Sequence, residues 1–279
     1  MPRAQLDVQR QGLNKWEMHK ALLNGLSNKT DCSSFRIPET KLGTPGNLAD
    51  MLRNHQTVFI KPVNAWGGSG ITRVDVDTSH PVLYRWHKQG DKQVLHIDSV
   101  GKVIERFLSS YTAQPVIVQA GAPLATLDER PFDIRVLMQR NDEEDWVYSG
   151  AVGRVGGAGS VVSNIALSRG HVMDLKELCH ELNCKQKVQQ TLSENLQETG
   201  YAIAKIVEQY RDFFDIGIDV GLSSNKSLWL IEVNTDDALG GPSHELFAQL
   251  PNRDLYDEIQ NRHRATRNRR GQALLRELF

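Results

Sequence analysis

Apolar positions fall at helical intervals in some stretches and in compact runs in others, and the order of the two lays out the chain. Residues 14–26, NKWEMHKALLNGL, carry Trp16, Leu22, Leu23 and Leu26 at helical intervals, which predicts a helix, then a polar loop up to Phe35-Arg36-Ile37-Pro38. A short helix near 47–54 leads into Val58-Phe59-Ile60, a run closed by Lys61-Pro62 that reads as a strand. A glycine-rich loop, Asn64 to Gly70, separates it from a second strand, Ile71 to Val76, so the loop forms a flap. Short strands at 83–87 and 93–97, a helix at 99–108 and a strand at 116–119 complete a small α+β lobe.

A second lobe opens with strands at 132–140 and 145–152, joined by the polar turn Asn141-Asp142-Glu143-Glu144 as in a hairpin, and followed by the glycine-rich run GAVGRVGGAGSVVSN. Residues 174–210 show helical spacing, with Gly200 expected to separate two helices. Strands at 213–220 and 227–233 flank the turn GLSSNK, and a helical tail ends the sequence. The expected division is an N-terminal helical segment at 1–54, a small lobe at 55–118, a large lobe at 119–245 and the tail at 246–279.

Thirty-three Lys and Arg stand against 34 Asp and Glu, so no global basic field exists to hold nucleic acid or an anionic membrane. No apolar run reaches the roughly 20 residues of a membrane span, and the N-terminus lacks the apolar core of a secretory signal. A cytoplasmic protein is expected. Cys32, Cys179 and Cys184 are too few and scattered for a disulfide framework. The segment CHELNC falls one residue short of HExxH, and no second Cys/His cluster follows it, so helix residues are expected there rather than zinc ligands. Five arginines between Arg262 and Arg270 are flanked by acids and read as a solvated helix face rather than a polyanion site.

The chemistry concentrates in three places. Near the C-terminus, DIGIDVG supplies Asp219 and LWLIEVN supplies Glu232 and Asn234. Side chains two apart on a strand share a face, so Glu232 and Asn234 point together, and a hairpin partner can bring Asp219 beside them. Three hard oxygen ligands suit magnesium, which keeps waters or phosphate oxygens in its remaining positions. In VFIKPVNAWGGSGI, Lys61 at a strand end precedes a loop containing Gly67, Gly68, Ser69 and Gly70, whose backbone can approach phosphate oxygens closely. Between these lie Asp133 and Arg135 in PFDIR, Arg154 in GAVGRVGG, and Asn164 and Arg169 in SNIALSRG. Guanidinium matches phosphoryl or carboxylate oxygens, although cross-strand ion pairing explains such residues equally well.

Taken in order, the motifs NKW, RIPET, VFIKPVNAWGGSGI, VIVQAGAPLAT, RPFDIRVLMQR, GAVGRVGGAGSVVSN, GIDVG and LWLIEVN resemble the ATP-grasp superfamily. The likeness runs from about Asn14 to Gly241 and is greatest to the spore-coat-associated YheC/YheD-like branch, with similarity to ribosomal-protein glutamate ligases. It implies an α+β ATP-grasp fold of two lobes gripping ATP, with the usual N-terminal pre-ATP-grasp domain largely absent. It also implies an ADP-forming carboxylate–amine ligase that works through an acyl-phosphate. By motif position Lys15 and Lys61 resemble the phosphate-contacting lysines, and Gln119 and Ala120 fall at the adenine-reading link. Asp219, Glu232 and Asn234 match ligands of two Mg2+ ions, with Mn2+ as an alternative and Glu232 shared between the two. Arg154 or Arg169 would stabilise the transferring phosphoryl group, with Arg135 nearby. The resemblance further implies a small-molecule or peptide carboxylate and an amine acceptor, with a partner chain or second copy completing the acceptor site. A small-molecule kinase and a nucleotide-binding coat protein without turnover are the competing functions.

Overall fold

A computed structural model describes residues 14–27, 34–65, 68–80, 82–91, 93–160, 163, 165–210, 213–235 and 243–278. The chain forms two sheets. The smaller has six strands in the order β2 (Thr40–Leu42), β7 (Val116–Ala120), β3 (Thr57–Pro62), β4 (Thr72–Val76), β5 (Tyr84–Lys88) and β6 (Leu95–Ile97). Helices α2 (Pro45–Asn54) and α3 (Val100–Ser110) cover one side, burying Leu48, Met51, Val103 and Phe107 against Val58, Ile60, Val74 and Trp86. Both are set by their caps. Thr44 and Ser99 accept from the backbone N–H three residues on, and Pro45 stands at the first helical position, where its missing N–H is no loss.

The larger sheet orders β1 (Phe35–Arg36), β13 (Leu228–Thr235), β12 (Asp215–Leu222), β9 (Arg130–Arg140), β10 (Trp146–Val155) and β11 (His171–Asp174), with β8 (Thr126–Leu127) beside β9. On one face Ile134, Val136, Met138, Ile216, Ile218 and Val220 form the core with α1 (Lys15–Ser27) and α6 (Gln186–Val207). The hairpin expected over 132–152 is β9–β10, its turn organised by Asn141 Oδ1 accepting from the Glu143 and Asp145 N–H groups.

Three expectations change. Gly200 does not separate two helices, because α6 is continuous through it; past the single turn α4 (Ile165–Ser168), the break lies at 182–185, where Asn183 takes φ 51° after α5 (Leu175–Glu181). Gly200 instead lets α6 pack closely on β9: a Cβ there would lie 2.5 Å from Met138 Sδ. The segment at 1–54, expected as helices joined by a polar loop, also contains β1 and β2, each completing a different sheet. The tail arginines are not simply a solvated face. On α7 (Asp254–Leu278), Arg269 and Arg270 grip Glu144 in the β9–β10 turn at 2.7 and 2.6 Å, and Arg262 donates to Ser149 Oγ at 2.9 Å.

The CHELNC segment closes α5. Cys184 N–H donates to Cys179 O, and burial pushes the Cys179 thiol up to about 11, so it stays protonated. Among the described residues no helix is long and apolar enough to cross a membrane.

Candidate functional site

The polar patch occupies the face of the larger sheet opposite the core. Asp219 pairs directly with Glu232 on β13 and Arg135 on β9, Gly217 pairs with Asn234, and Asp133 pairs with Arg154 on β10. Residues opposite one another in an antiparallel ladder share a face, as do residues two apart. Asp133, Arg135, Arg154, Asp219, Glu232 and Asn234 therefore converge across four adjacent strands. Gly217 leaves room for them: a Cβ there would lie 3.0 Å from Arg135 Nη1 and 2.6 Å from Ser243 Oγ.

Asp219 is the centre. It accepts from Arg135 Nε and Nη2, from Asn234 Nδ2 at 3.2 Å, and lies 2.9 Å from Arg154 Nη2. Arg154 is itself forked onto Asp133 by two bonds of 2.6 Å, and Ser163 Oγ donates to the same carboxylate. All four charged groups are buried, which is tolerable only because each is paired. Burial works to raise the Asp219 carboxyl, but the Arg135 and Arg154 guanidiniums outweigh it and hold it below the usual carboxylate range. Burial likewise works to lower Arg154, and Asp133 and Asp219 together reverse that, so it stays charged.

Two lysines approach from the other side of the cleft. Lys61 Nζ, at the end of β3, donates to Gln119 Oε1 at 2.5 Å, and Gln119 Nε2 donates on to Thr40 Oγ1. Burial pushes Lys61 down to about 8, against the upward pull of Glu232 and Asp219. Lys15, at the start of α1, donates to Glu232 Oε1 and to the Ala65 carbonyl, both at 2.5 Å, while its N–H reaches the Val63 carbonyl. It thus joins the glycine loop of the small lobe to β13 of the large one.

Gly68 and Gly70 take φ of 85° and 71°, left-handed values that glycine adopts without steric cost. Ser69 between them is exposed. The loop is anchored at its far end by Tyr111, whose hydroxyl donates to Gly70 O and pairs with Thr72 Oγ1. Tyr111 carries no local signal in the sequence, because an aromatic just past an amphipathic helix reads as core.

The structure thus brings together Lys15, Lys61, Arg135, Arg154, Asp219, Glu232 and Asn234. Gly67 and Asn164 lie outside the described residues. Arg169 is exposed at φ 56°, and among the described residues no hydrogen bond or ion pair joins it to the patch; of the two candidate arginines only Arg154 is part of it. Gln119 and Ala120 lie on β7 beside Lys61. The Gln119 side chain is committed to Lys61 and Thr40, and the Ala120 and Gly121 N–H groups are donated to the Glu39 and Thr57 carbonyls. In the link that follows, the Ala122 carbonyl accepts from the Leu124 N–H.

A family model described as YheC/D-like ATP-grasp matches residues 8–260. The chain belongs to that family. This ATP-grasp protein is 24% identical over 255 residues to the endospore coat-associated protein YheD of Bacillus subtilis (strain 168), covering 89% of this chain and 52% of that protein. It is 20% identical over 200 residues to YheC of the same organism, covering 71% and 54%. The chain therefore spans about half the length of the curated relatives it matches. Among solved structures it is similar to the C-terminal domain of K. lactis Pby1, described as an ATP-grasp enzyme interacting with the mRNA decapping enzyme Dcp2. That match has a TM-score of 0.51 and 13% identity, and covers 93% of this chain and 77% of that one. At such identity the likeness establishes the ATP-grasp fold alone.

Proposed function

We propose that this ATP-grasp protein is a magnesium-dependent carboxylate–amine ligase. A substrate carboxylate oxygen attacks the γ-phosphorus of ATP and ADP leaves; an amine then attacks the acyl carbon, phosphate leaves carrying the proton the nitrogen gives up, and an amide remains. The observation that carries the reading is the single-face set Asp219, Glu232 and Asn234, met from across the cleft by Lys15 and Lys61.

The donor chemistry fits magnesium: two carboxylates and an amide oxygen on one face are hard ligands that leave positions for water and phosphate. Both carboxylates are at present paired within the protein, Glu232 to Lys15 and Asp219 to two guanidiniums. Asp219, Glu232 and Asn234 would hold the ions, with Glu232 shared if two bind. Bound ions would neutralise the phosphates and polarise the transferring group.

The remaining roles belong to the chain itself. Lys15 exchanges Glu232 for a phosphate oxygen, and Lys61 faces the phosphates from β3. The glycine loop closes over them and excludes water from an intermediate that water would destroy. Arg154, fixed through Nε and Nη2 by Asp133, presents Nη1 to the developing negative charge. The carboxylate and the amine are supplied by a small molecule or a peptide, and a partner chain or a second copy completes the acceptor pocket.

The test pairs wild type with Glu232→Gln, incubated with Mg·ATP and pools of amino acids and peptides, and reads nucleotide and adduct by mass spectrometry. A dehydrated adduct with ADP in the wild type alone supports the ligase. A phosphorylated product would replace it with a kinase. Full activity in Glu232→Gln would remove the metal assignment, and nucleotide binding without turnover on any pool would favour a coat-type binding protein.

A further inference from the structure

Asp215, His244 and His263 form a second titratable cluster on the same sheet face, independent of the proposed ligase chemistry. Asp215 lies four residues from Asp219 on β12, about 13 Å at strand rise. The three side chains come from β12, from the segment before the short 3-10 helix Glu245–Gln249, and from α7. Their ligand atoms all lie within 4.8 Å of one another, and among the described residues no other set of His, Cys, Asp and Glu does this.

The details separate this cluster from an ordinary salt bridge. Both imidazoles turn the same nitrogen, Nδ1, to the same oxygen, Asp215 Oδ2, at 3.1 and 2.5 Å. The other carboxylate oxygen is occupied by Gln139 Nε2 at 2.9 Å, which fixes the plane of the group. Gln139 is held in turn by Ser149, and Ser149 by Arg262. The far nitrogen of His244, Nε2, lies 3.6 Å from Glu245 Oε1. A ligand histidine whose second nitrogen faces a carboxylate, and a ligand carboxylate oriented by an amide, are the outer contacts that metal sites use. Asp215 and His244 are almost completely buried, and His263 is 13% exposed.

We infer that Asp215, His244 and His263 hold one divalent transition-metal ion of the zinc class. Two neutral imidazoles and one carboxylate select such an ion over magnesium, which wants oxygen throughout. Binding leaves each neutral imidazole with its proton on Nε2, frees Nδ1 for the metal, and opens each N···O contact to about 3.3 Å, the edge of a tetrahedron with ligand bonds near 2.0–2.1 Å. The ion would staple α7 and the segment after β13 to the larger sheet.

The test uses the full chain, stripped with chelator and titrated with Co2+ alone, then with Zn2+. One equivalent of Co2+ should give the visible absorption of a four-coordinate N/O site, and Zn2+ should bleach it. In His263→Gln the affinity should fall by more than the roughly 10–100-fold that loss of an outer contact costs. His180→Gln, at an exposed histidine outside both sites, should titrate as wild type. Wild-type protein that leaves Co2+ with the spectrum of the aqua ion would overturn the proposal, as would an unchanged titration in folded His263→Gln. If His263→Gln does not fold, the wild-type spectrum and its bleaching by zinc still decide.

Discussion

Burial pushes the Lys61 ammonium down to about 8, with Lys15 adding to the effect and Glu232 and Asp219 opposing it. An unfolded lysine titrates near about 10.4. Between roughly pH 8 and 10.4 the unfolded chain therefore holds a proton that the folded chain has released, and stability rises with pH across that window. The unfavourable contribution is present in full below about pH 8. Phosphate binding has the opposite sign, because it needs the ammonium. We expect the Kd for Mg·ATP to weaken as pH rises from about 7.5 to 9, and to be weak and flat in Lys61→Met. A pH-independent Kd in the wild type would take Lys61 out of the phosphate site. The strand rule already placed Glu232 and Asn234 on one face, and the lysine before the glycine loop was visible in the sequence. The partners of these residues were not. Asp219 meets Arg135 across 84 positions and Lys15 meets Glu232 across 217; such pairs depend on the register of several strands, and no local spacing encodes that.

At the scale of elements, apolar periodicity located the long helices and the central strands within a few residues, because each spans enough repeats to show its period. β1, β2, β8 and β11 have two to four residues, too few for alternation to register. Gly200 failed for another reason. A glycine inside a helical pattern reads locally as a break, whereas here it serves contact with a different element. A single methyl at 200 would meet Met138 Sδ at 2.5 Å and Val136 Cγ1 at 3.4 Å. For Gly200→Ala the gain in helix propensity, about 1 kcal/mol, offsets the displacement of one thioether, so the variant should be near neutral. Gly200→Val adds a branched side chain against a filled core, and overpacking of that kind costs about 1–3 kcal/mol. Urea unfolding of the two variants checks the contrast; equal midpoints would mean that α6 does not press on β9 as closely as described. By comparison, a Cβ at Gly170 would meet the Val155 carbonyl at 1.9 Å, and backbone cannot move aside as Met138 can.

For the molecule as a whole, the cleft neutralises most of its own charge. Lys15, Lys61, Arg135 and Arg154 face Asp133, Asp219 and Glu232, so four cations meet three carboxylates, and Lys15 ties β13 to the glycine loop while doing so. A bare divalent cation entering this site must separate existing pairs and leaves Lys15 or a guanidinium without its partner, which is costly above all for the buried guanidiniums at Asp219. A nucleotide that brings its own anionic oxygens gives each displaced cation a new one. The two ligands should therefore bind cooperatively, and linkage requires each to strengthen the other by the same factor. We expect calorimetric titration with MgCl2 alone to give no saturable heat at micromolar concentrations, ATP alone to bind weakly, and the two together to bind at least about tenfold more tightly than ATP alone, a coupling of roughly 1.4 kcal/mol. Lys15→Ala frees Glu232 in advance, so this variant should accept Mg2+ more readily in the absence of nucleotide while losing affinity for ATP. If Mg2+ bound tightly by itself to the wild type, or if Lys15→Ala left both affinities unchanged, the exchange of Lys15 between Glu232 and phosphate would be wrong, and the ions would have to enter by a route that leaves the Lys15–Glu232 pair intact.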